Sequence, residues 1–556
     1  MTTLDELGPT SLADRPPPTA RQGWAALGAV VSVALVHLAP AAGLAPGALD
    51  ADLGIQWHLG AETARGAIPL IDFEHTWNVA SWYFNAALHR VAGGDPSTWL
   101  YLWGRVFGPA LAAVTAVGVL WRLRFRAEWI LIGAGSWLAL SHVIHSKYTI
   151  PVVWVFVLAP TGRGASTTRA VAVRAALAGL TFLSQVELAV LLGAGVVLFD
   201  LIGRDPWSAA AGELRARVLR AAAVPAGIAL ALVAELAVYR LLGQPPGEVL
   251  RQLFSNAAET AEGFTYGYPL LSAPSLRPKL FVASLLVAFV PAVWRRLTAP
   301  ARLVACLHLA QALIAIRRPD PAHVDAATTL LGLLVVLVVN DLVTDPRGVG
   351  HLRWPRGRWD GRRVVAAVVG AVVVAAAVVA AVSVESLLAL ALPTVLLAGL
   401  AVVTPRWRAD AGAVSLGAGA VVVAVLLAST AGGIAASLRA GDALAVVEGV
   451  AADIAPDLDR CTGGDRVVWI VPGPLPLYDA LEAENPTPWT VFWYGFTAEH
   501  DRVRDRLAEG SLPGVLQVGH GWPPSFGDLG DDLQVALEPC AEGVSRDGQP
   551  YRIWVD

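Results

Sequence analysis

Asp50 and Asp52, two residues apart, are the first of the side chains able to do chemistry, and Asp72, Glu74 and His75 follow further on. Carboxylates at that density can supply a general base to a hydroxyl nucleophile, because a base must sit within hydrogen-bond reach of the proton it takes. A solvated acidic loop resting on lipid headgroups is the plainer alternative. His142, His145, Lys147 and Tyr148 form a second cluster, in which Lys147 is one of only two lysines, with Lys279. That cluster suits a phosphate, and it also suits anchoring at a lipid–water boundary. Ser184, Gln185 and Glu187 form a third, where Glu187 fits either a polar ligand or the positive end of a helix dipole. The fourth is Arg317-Arg318-Pro319-Asp320-Pro321-Ala322-His323. Guanidinium forks match phosphate oxygens, and an Arg–Asp structural pair is the alternative.

The elements that must carry these groups are largely apolar. Of 556 residues 55% are hydrophobic and 15% charged, with a mean hydropathy of +0.56. Soluble domains carry about a quarter charged residues, so much of this chain faces something other than water. A net charge of −4 gives no reason to expect a nucleic-acid partner. Because backbone groups in hydrocarbon must pair within their own segment, a span takes about 20 apolar residues. The apolar runs predict spans near 23–42, 99–121, 128–144, 148–160, 170–183, 185–202, 219–240, 280–294, 301–316, 324–343, 364–383, 386–404 and 413–436. The fold class expected is therefore a polytopic α-helical membrane protein with about thirteen transmembrane helices.

Arginines mark every second connection: Arg122 to Arg126, Arg163 to Arg174, Arg204 to Arg220, Arg295 to Arg302, Arg347 to Arg363, and Arg406 with Arg408. By the positive-inside rule these face the cytoplasm. The expected organisation is a cytoplasmic tail at 1–22, a transmembrane domain at 23–436 with a first outer loop at 43–98, and an outer domain at 440–556. Ala39-Pro40-Ala41 resembles a signal-cleavage site, but the apolar stretch before it is longer than a signal core, so a retained helix is expected. All four polar clusters then fall on the outer side. Within the first outer loop, Trp77, Ser81, Phe84, Leu88 and Val91 share a helical face, which suggests a helix lying in the membrane interface. The stretch from Gln244 to Lys279 is either a flap or a connector.

Past Gly441 apolar runs shorten. Segments 467–471, 515–518 and 552–555 read as strands, and 442–455 and 499–509 as helices, which predicts a small α/β domain. Cys461 and Cys540 both lie there, bonded or free, while Cys306 in an apolar run reads as a small buried hydrophobe.

In order and sidedness the clusters resemble polytopic bacterial glycosyltransferases of the GT-C superfamily, whose relatives include protein O-mannosyltransferases, aminoarabinose transferases and arabinofuranosyltransferases. Asp50-Ala51-Asp52 resembles their acidic first-loop motif. Asp52 to Gly54, Arg65-Gly66-Ala67-Ile68-Pro69 and Asp72-Phe73 resemble a recurrent loop pattern. The run from Arg318 to His323, and Leu477-Tyr478 with Asn485-Pro486-Thr487-Pro488-Trp489, resemble further elements. The resemblance implies a multi-pass plasma-membrane enzyme whose donor is a sugar on a polyprenyl phosphate and whose acceptor is an envelope glycan, lipid or protein. It implies transfer with inversion on the outer face. Asp52 or Asp50 would be the base, and Lys147, His145, Arg317 and Arg318 would hold the donor phosphate, oriented by Asp320 and His323. Asp72, Glu74, His75, Gln185 and Glu187 would bind sugar or acceptor. A divalent metal on the acidic cluster is compatible, though no His/Asp spacing specifies one. Two rival classes remain: a transporter or lipid flippase, which would carry midplane sites in paired repeats, and a non-catalytic subunit of an envelope assembly complex.

Overall fold

The computed structural model describes residues 19–38, 51–73, 79–94, 96–141, 149–159, 167–202, 211–263, 285, 288–294, 297–317, 327–344, 443–471, 476–484, 486, 497–519, 528–546 and 548–556. It divides into two compact units. Met1–Ala39, Gly104–Val233 and Phe264–Gly432 form the first; Pro40–Trp103, Ala234–Gly263 and Gly433–Asp556 form the second.

In the first unit the described elements are helices: α1 (Ala20–Leu38), α5 (Leu111–Arg122), α6 (Ala127–Leu140), α7 (Ile150–Leu158), α8 (Thr167–Ser184), α9 (Val186–Ile202), most of α10 (Ala211–Leu241), α12 (Ala299–Arg317) and α13 (Leu331–Thr344). They occupy the apolar runs expected between 99 and 202, at 219–240 and at 301–316; the expected spans beyond 344 lie outside the described residues. Small residues let the helix axes approach. A Cβ on Gly227 would lie 2.1 Å from the Ala175 carbonyl oxygen, so α8 and α10 meet backbone to backbone there. Gly332 on α13 approaches the Ser136 carbonyl of α6 in the same way. Around these contacts Trp137, Trp154, Val155, Leu192, Leu307 and Leu337 fill a core from which water is excluded, and Cys306 is a free, fully buried thiol within it. By length and composition, two described helices are enough on their own to cross a bilayer: Thr98–Arg122 and Leu214–Leu241. The first contains a π-helical stretch, Leu102–Ala110, with Pro109 inside it. Pro109 lacks an N–H to donate, and Thr149 donates its hydroxyl to the Phe107 and Gly108 carbonyls there.

The second unit joins the segment after α1 to the C-terminal domain. Its helices are α2 (Ala51–Arg65), α3 (Val79–Val91), α4 (Pro96–Tyr101), the end of α10 and α11 (Pro246–Gly263), then α14 (Ala443–Thr462), α15 (Pro476–Leu481), α16 (Thr497–Ala508) and α17 (Leu529–Ala536). Four strands, β1 (Trp469–Val471), β2 (Gly514–Val518), β3 (Glu538–Val544) and β4 (Pro550–Val555), form one sheet in the order β1-β2-β4-β3. β1 runs parallel to β2; β4 runs antiparallel to both β2 and β3. Strands β1, β2 and β4 were legible because Val, Ile and Trp are dense in them. β3 was missed: Glu538-Pro539-Cys540-Ala541-Glu542-Gly543-Val544 is poor in β formers and sits at the sheet edge.

Both sheet faces are covered. On one, Val450, Ile454 and Leu458 of α14 pack with Ile470, Leu516 and Ile553. On the other, Val503, Leu529 and Leu533 pack with Val515 and Trp554. Cys540 falls at a register shift in β3 and is bonded to Cys461 of α14, 79 residues away in sequence, with their Cα atoms 5.8 Å apart. The segment after α1 shares the first of these cores: Leu59 of α2, Phe73 of the following loop and Trp82 of α3 join the cluster, and the His58 ring stacks on Tyr478. Leu477 and Tyr478 are therefore core residues, and the Tyr478 hydroxyl accepts the Ile470 N–H at 2.7 Å.

Candidate functional site

Asp52 is the second residue of α2, in the first turn, where the unpaired N–H groups of the helix favour a negative charge. Further along α2, Gln56 is buried and accepts the Asn85 amide N–H at 2.6 Å, tying α2 to α3. The two helices meet closely there, since a Cβ on Gly60 would lie 3.0 Å from the Asn85 Cβ. α3 forms within the expected stretch. Phe84 and Val91 of the expected apolar face are exposed, while Leu88 of that face and Trp82, Asn85 and Ala86 are buried.

The Arg-Gly-x-x-Pro loop has a physical reason for each of its fixed types. Arg65 pairs with Glu62 and ends α2. Gly66 has φ +115°, a conformation that a Cβ disfavours. Leu70, at φ +65°, is held in the left-handed region with its side chain buried. Asp72 is exposed, and its Oδ2 accepts the Ile68 N–H at 2.6 Å, closing the loop on itself. The Pro69 carbonyl accepts the Tyr239 hydroxyl at 2.7 Å, so the end of α10 fastens the loop.

In the first unit, Gln185 marks the break between α8 and α9; it is half-buried, and its Oε1 completes no hydrogen bond among the described residues. Glu187 is exposed in the first turn of α9, which also satisfies the helix dipole. Arg317 ends α12. α9 and α12 pack together, with Gly195 against the Cys306 carbonyl, Leu307 and Ala310. Asp50, Glu74, His75, His142, His145, Lys147, Arg318, Asp320 and His323 lie outside the described residues. Among the described residues no three His, Cys, Asp or Glu side chains are grouped as a metal site.

The sequence reading passed over several buried polar groups. Asp200 of α9 accepts both arms of Arg174 of α8, at 2.7 and 3.0 Å, and Arg220 of α10 lies 3.5 Å away. Arg174 and Arg220, counted above as charges of cytoplasmic connections, are thus buried members of a three-helix ion-pair cluster. Glu235 and Tyr239, on the last turns of α10, are also buried. The available signal was an ionisable residue interrupting an apolar run.

The fold, an apolar helical bundle with an α/β domain, has a solved counterpart. It is similar to the crystal structure of ArnT from Cupriavidus metallidurans bound to undecaprenyl phosphate, with a TM-score of 0.51 and 16% sequence identity. The match covers 96% of this chain and 98% of that one. At that identity the likeness establishes the fold. No protein-family model matches the chain, and no curated protein matches it.

Proposed function

We propose that the chain is a membrane glycosyltransferase that moves a sugar from a polyprenyl-phosphate donor to an envelope glycan, lipid or protein acceptor. The observation that carries this reading is a likeness running nearly end to end with ArnT, a protein crystallised with undecaprenyl phosphate. The acidic first loop supports it, because Asp52 opens a helix anchored both to α3 and to the C-terminal domain. Rigid support of that kind is what a positioned base requires.

In the proposed reaction the acceptor hydroxyl loses its proton to the Asp52 carboxylate, beside Asp50, as its oxygen bonds to the anomeric carbon. The bond from that carbon to the phosphate oxygen breaks with inversion, and the polyprenyl phosphate leaves with the electron pair. Lys147, His145, Arg317 and Arg318 meet the charge that develops on the phosphate, with Asp320 and His323 orienting them. Glu74, His75, Gln185 and Glu187 contact sugar or acceptor, and Asp72 acts through the loop it closes. About thirteen spans, a cytoplasmic N-terminus and an outer C-terminal domain complete the proposal. The Cys461–Cys540 bond supports that side, since disulfides persist in oxidising compartments.

Purified protein in lipid nanodiscs, given polyprenyl phosphates bearing radiolabelled sugars and an envelope extract, should transfer label. Asp52→Asn should lower the rate by about 100-fold or more while preserving folding, as loss of a general base does. Transfer at the parental rate in Asp52→Asn would remove Asp52 from the chemistry. Absence of transfer from every donor by the parent protein would sink the enzyme reading.

A further inference from the structure

Buried carboxylates in this chain are compensated in most places. Asp200 has a bidentate arginine, and Asp341 accepts both the N–H and the hydroxyl of Thr298 at 2.7 Å. Glu235 differs. It is 3% exposed, and neither carboxyl oxygen completes a hydrogen bond with any described residue. It lies on a helix long and apolar enough to cross a bilayer. A buried ionisable group whose side-chain oxygens complete no hydrogen bond among the described residues stands out, because stability alone would favour an apolar side chain there.

Its surroundings narrow the function. The backbone N–H of Val79, the first residue of α3, approaches the Glu235 carboxyl. One turn on, Tyr239 is 2% exposed and donates its hydroxyl to the Pro69 carbonyl. The end of α10 therefore touches both Pro69 and Val79. Glu235 and Tyr239 belong with these two residues to the second unit.

We propose that Glu235 is a sugar-recognition residue, accepting hydrogen bonds from the hydroxyl or amine groups of the sugar that the polyprenyl-phosphate donor carries. The assignment rests on the donor reading above and sharpens it. A carboxylate offers several acceptor sites and no donor once ionised, so it complements the O–H and N–H groups of a sugar. It repels a phosphate, which places it at the sugar end of the donor and away from the phosphate. The hydrogen bonds left incomplete among the described residues then have an explanation: the ligand supplies the donors.

The test compares full-length wild type with Glu235→Gln in nanodiscs, by binding of undecaprenyl phosphate alone and of undecaprenyl phosphates bearing a pentose, a hexose or an amino sugar. Wild type should prefer at least one sugar-bearing form over the bare lipid phosphate. Glu235→Gln should lower affinity for that form about tenfold or more, as loss of a charge-assisted hydrogen bond does, and leave bare undecaprenyl phosphate within about twofold. Its melting temperature should hold or rise, because an isosteric amide is easier to bury than an uncompensated carboxylate. A melting temperature lowered by several degrees, or equal weakening for both ligands, would make Glu235 a structural residue and overturn the proposal. A sugar preference unchanged in Glu235→Gln, or absent in wild type that still binds the bare lipid, would overturn it too. Wild type that binds neither ligand would instead refute the donor reading, and this assignment with it.

Discussion

At the scale of single residues, the chain treats its buried charges in two ways. Asp200, with no exposed surface, is held by Arg174 through two parallel hydrogen bonds, the geometry a guanidinium fork favours over an ammonium. Such a pair is weak evidence of net stabilisation, because removing both charges from water offsets their attraction. Breaking it is another matter. Arg174→Met should cost about 3–5 kcal/mol, while adding Asp200→Leu and Arg220→Met, which removes all three charges, should restore most of that loss. Thermal denaturation of the purified variants would read the series, and a triple variant as unstable as the single would contradict it. Tyr239 and Asp72 illustrate a second residue-scale point: each is polar, and each is engaged in fastening the loop after α2. Residue type alone does not separate a ligand contact from a loop fastener. The hydrogen bond does.

Among elements, the contact of α8 with α10 depends on the absence of side chains. Gly227 meets the Ala175 backbone and Gly179 meets the Gly227 carbonyl, so the helices touch without intervening bulk. In hydrocarbon such contact substitutes for the hydrophobic effect, which gives no preference for helix over lipid. Gly227→Ala places a methyl 2.1 Å from a backbone oxygen that cannot rotate away. It should cost about 1–3 kcal/mol or more, seen as a lower melting temperature in detergent; an unchanged value would mean that the helices part more easily than their packing implies. The α2–α3 pair follows a related logic, with Gly60 admitting the close approach of Asn85. That approach fixes α2 on a partner helix, which a solvated loop would not provide.

For the molecule as a whole, the C-terminal domain and the segment that carries α2 and α3 belong to one unit and share a core, and Cys461–Cys540 cross-links the domain within itself. If both lie outside the membrane, as proposed, then cysteines introduced at exposed Ser511 and at exposed Tyr83 should both react with an impermeant maleimide on intact cells. Labelling of one without the other would break the proposed topology. The same unit should show an alkaline limit. Burial pushes the Tyr551 hydroxyl up to about 12, with its hydrogen bond to Asp457 adding to the effect, and burial likewise raises that of Tyr478. Since the folded state favours the neutral phenol, that stabilisation is complete below pH of about 10 and is lost as pH rises through the raised value. Tyrosinate absorbance against pH should therefore show a lag past 10 that Tyr551→Phe reduces.

The amino-acid order by itself determined what depends on local pattern and solvent. Apolar runs must become helices because lipid offers no hydrogen-bond partner, and this held for α5 to α10 and α12. Three strands and the helices α14 and α16 of the α/β domain were legible for the same kind of reason: their side-chain types match their environment. What local pattern cannot carry is pairing across distance. Cys461 with Cys540, Tyr239 with Pro69 and Asp200 with Arg174 join residues whose separation leaves no periodic trace. Glu235 was hidden because an apolar helix remains apolar with one carboxyl in it. Only the tertiary structure shows that this carboxyl is buried beside Val79, its oxygens completing no hydrogen bond among the described residues.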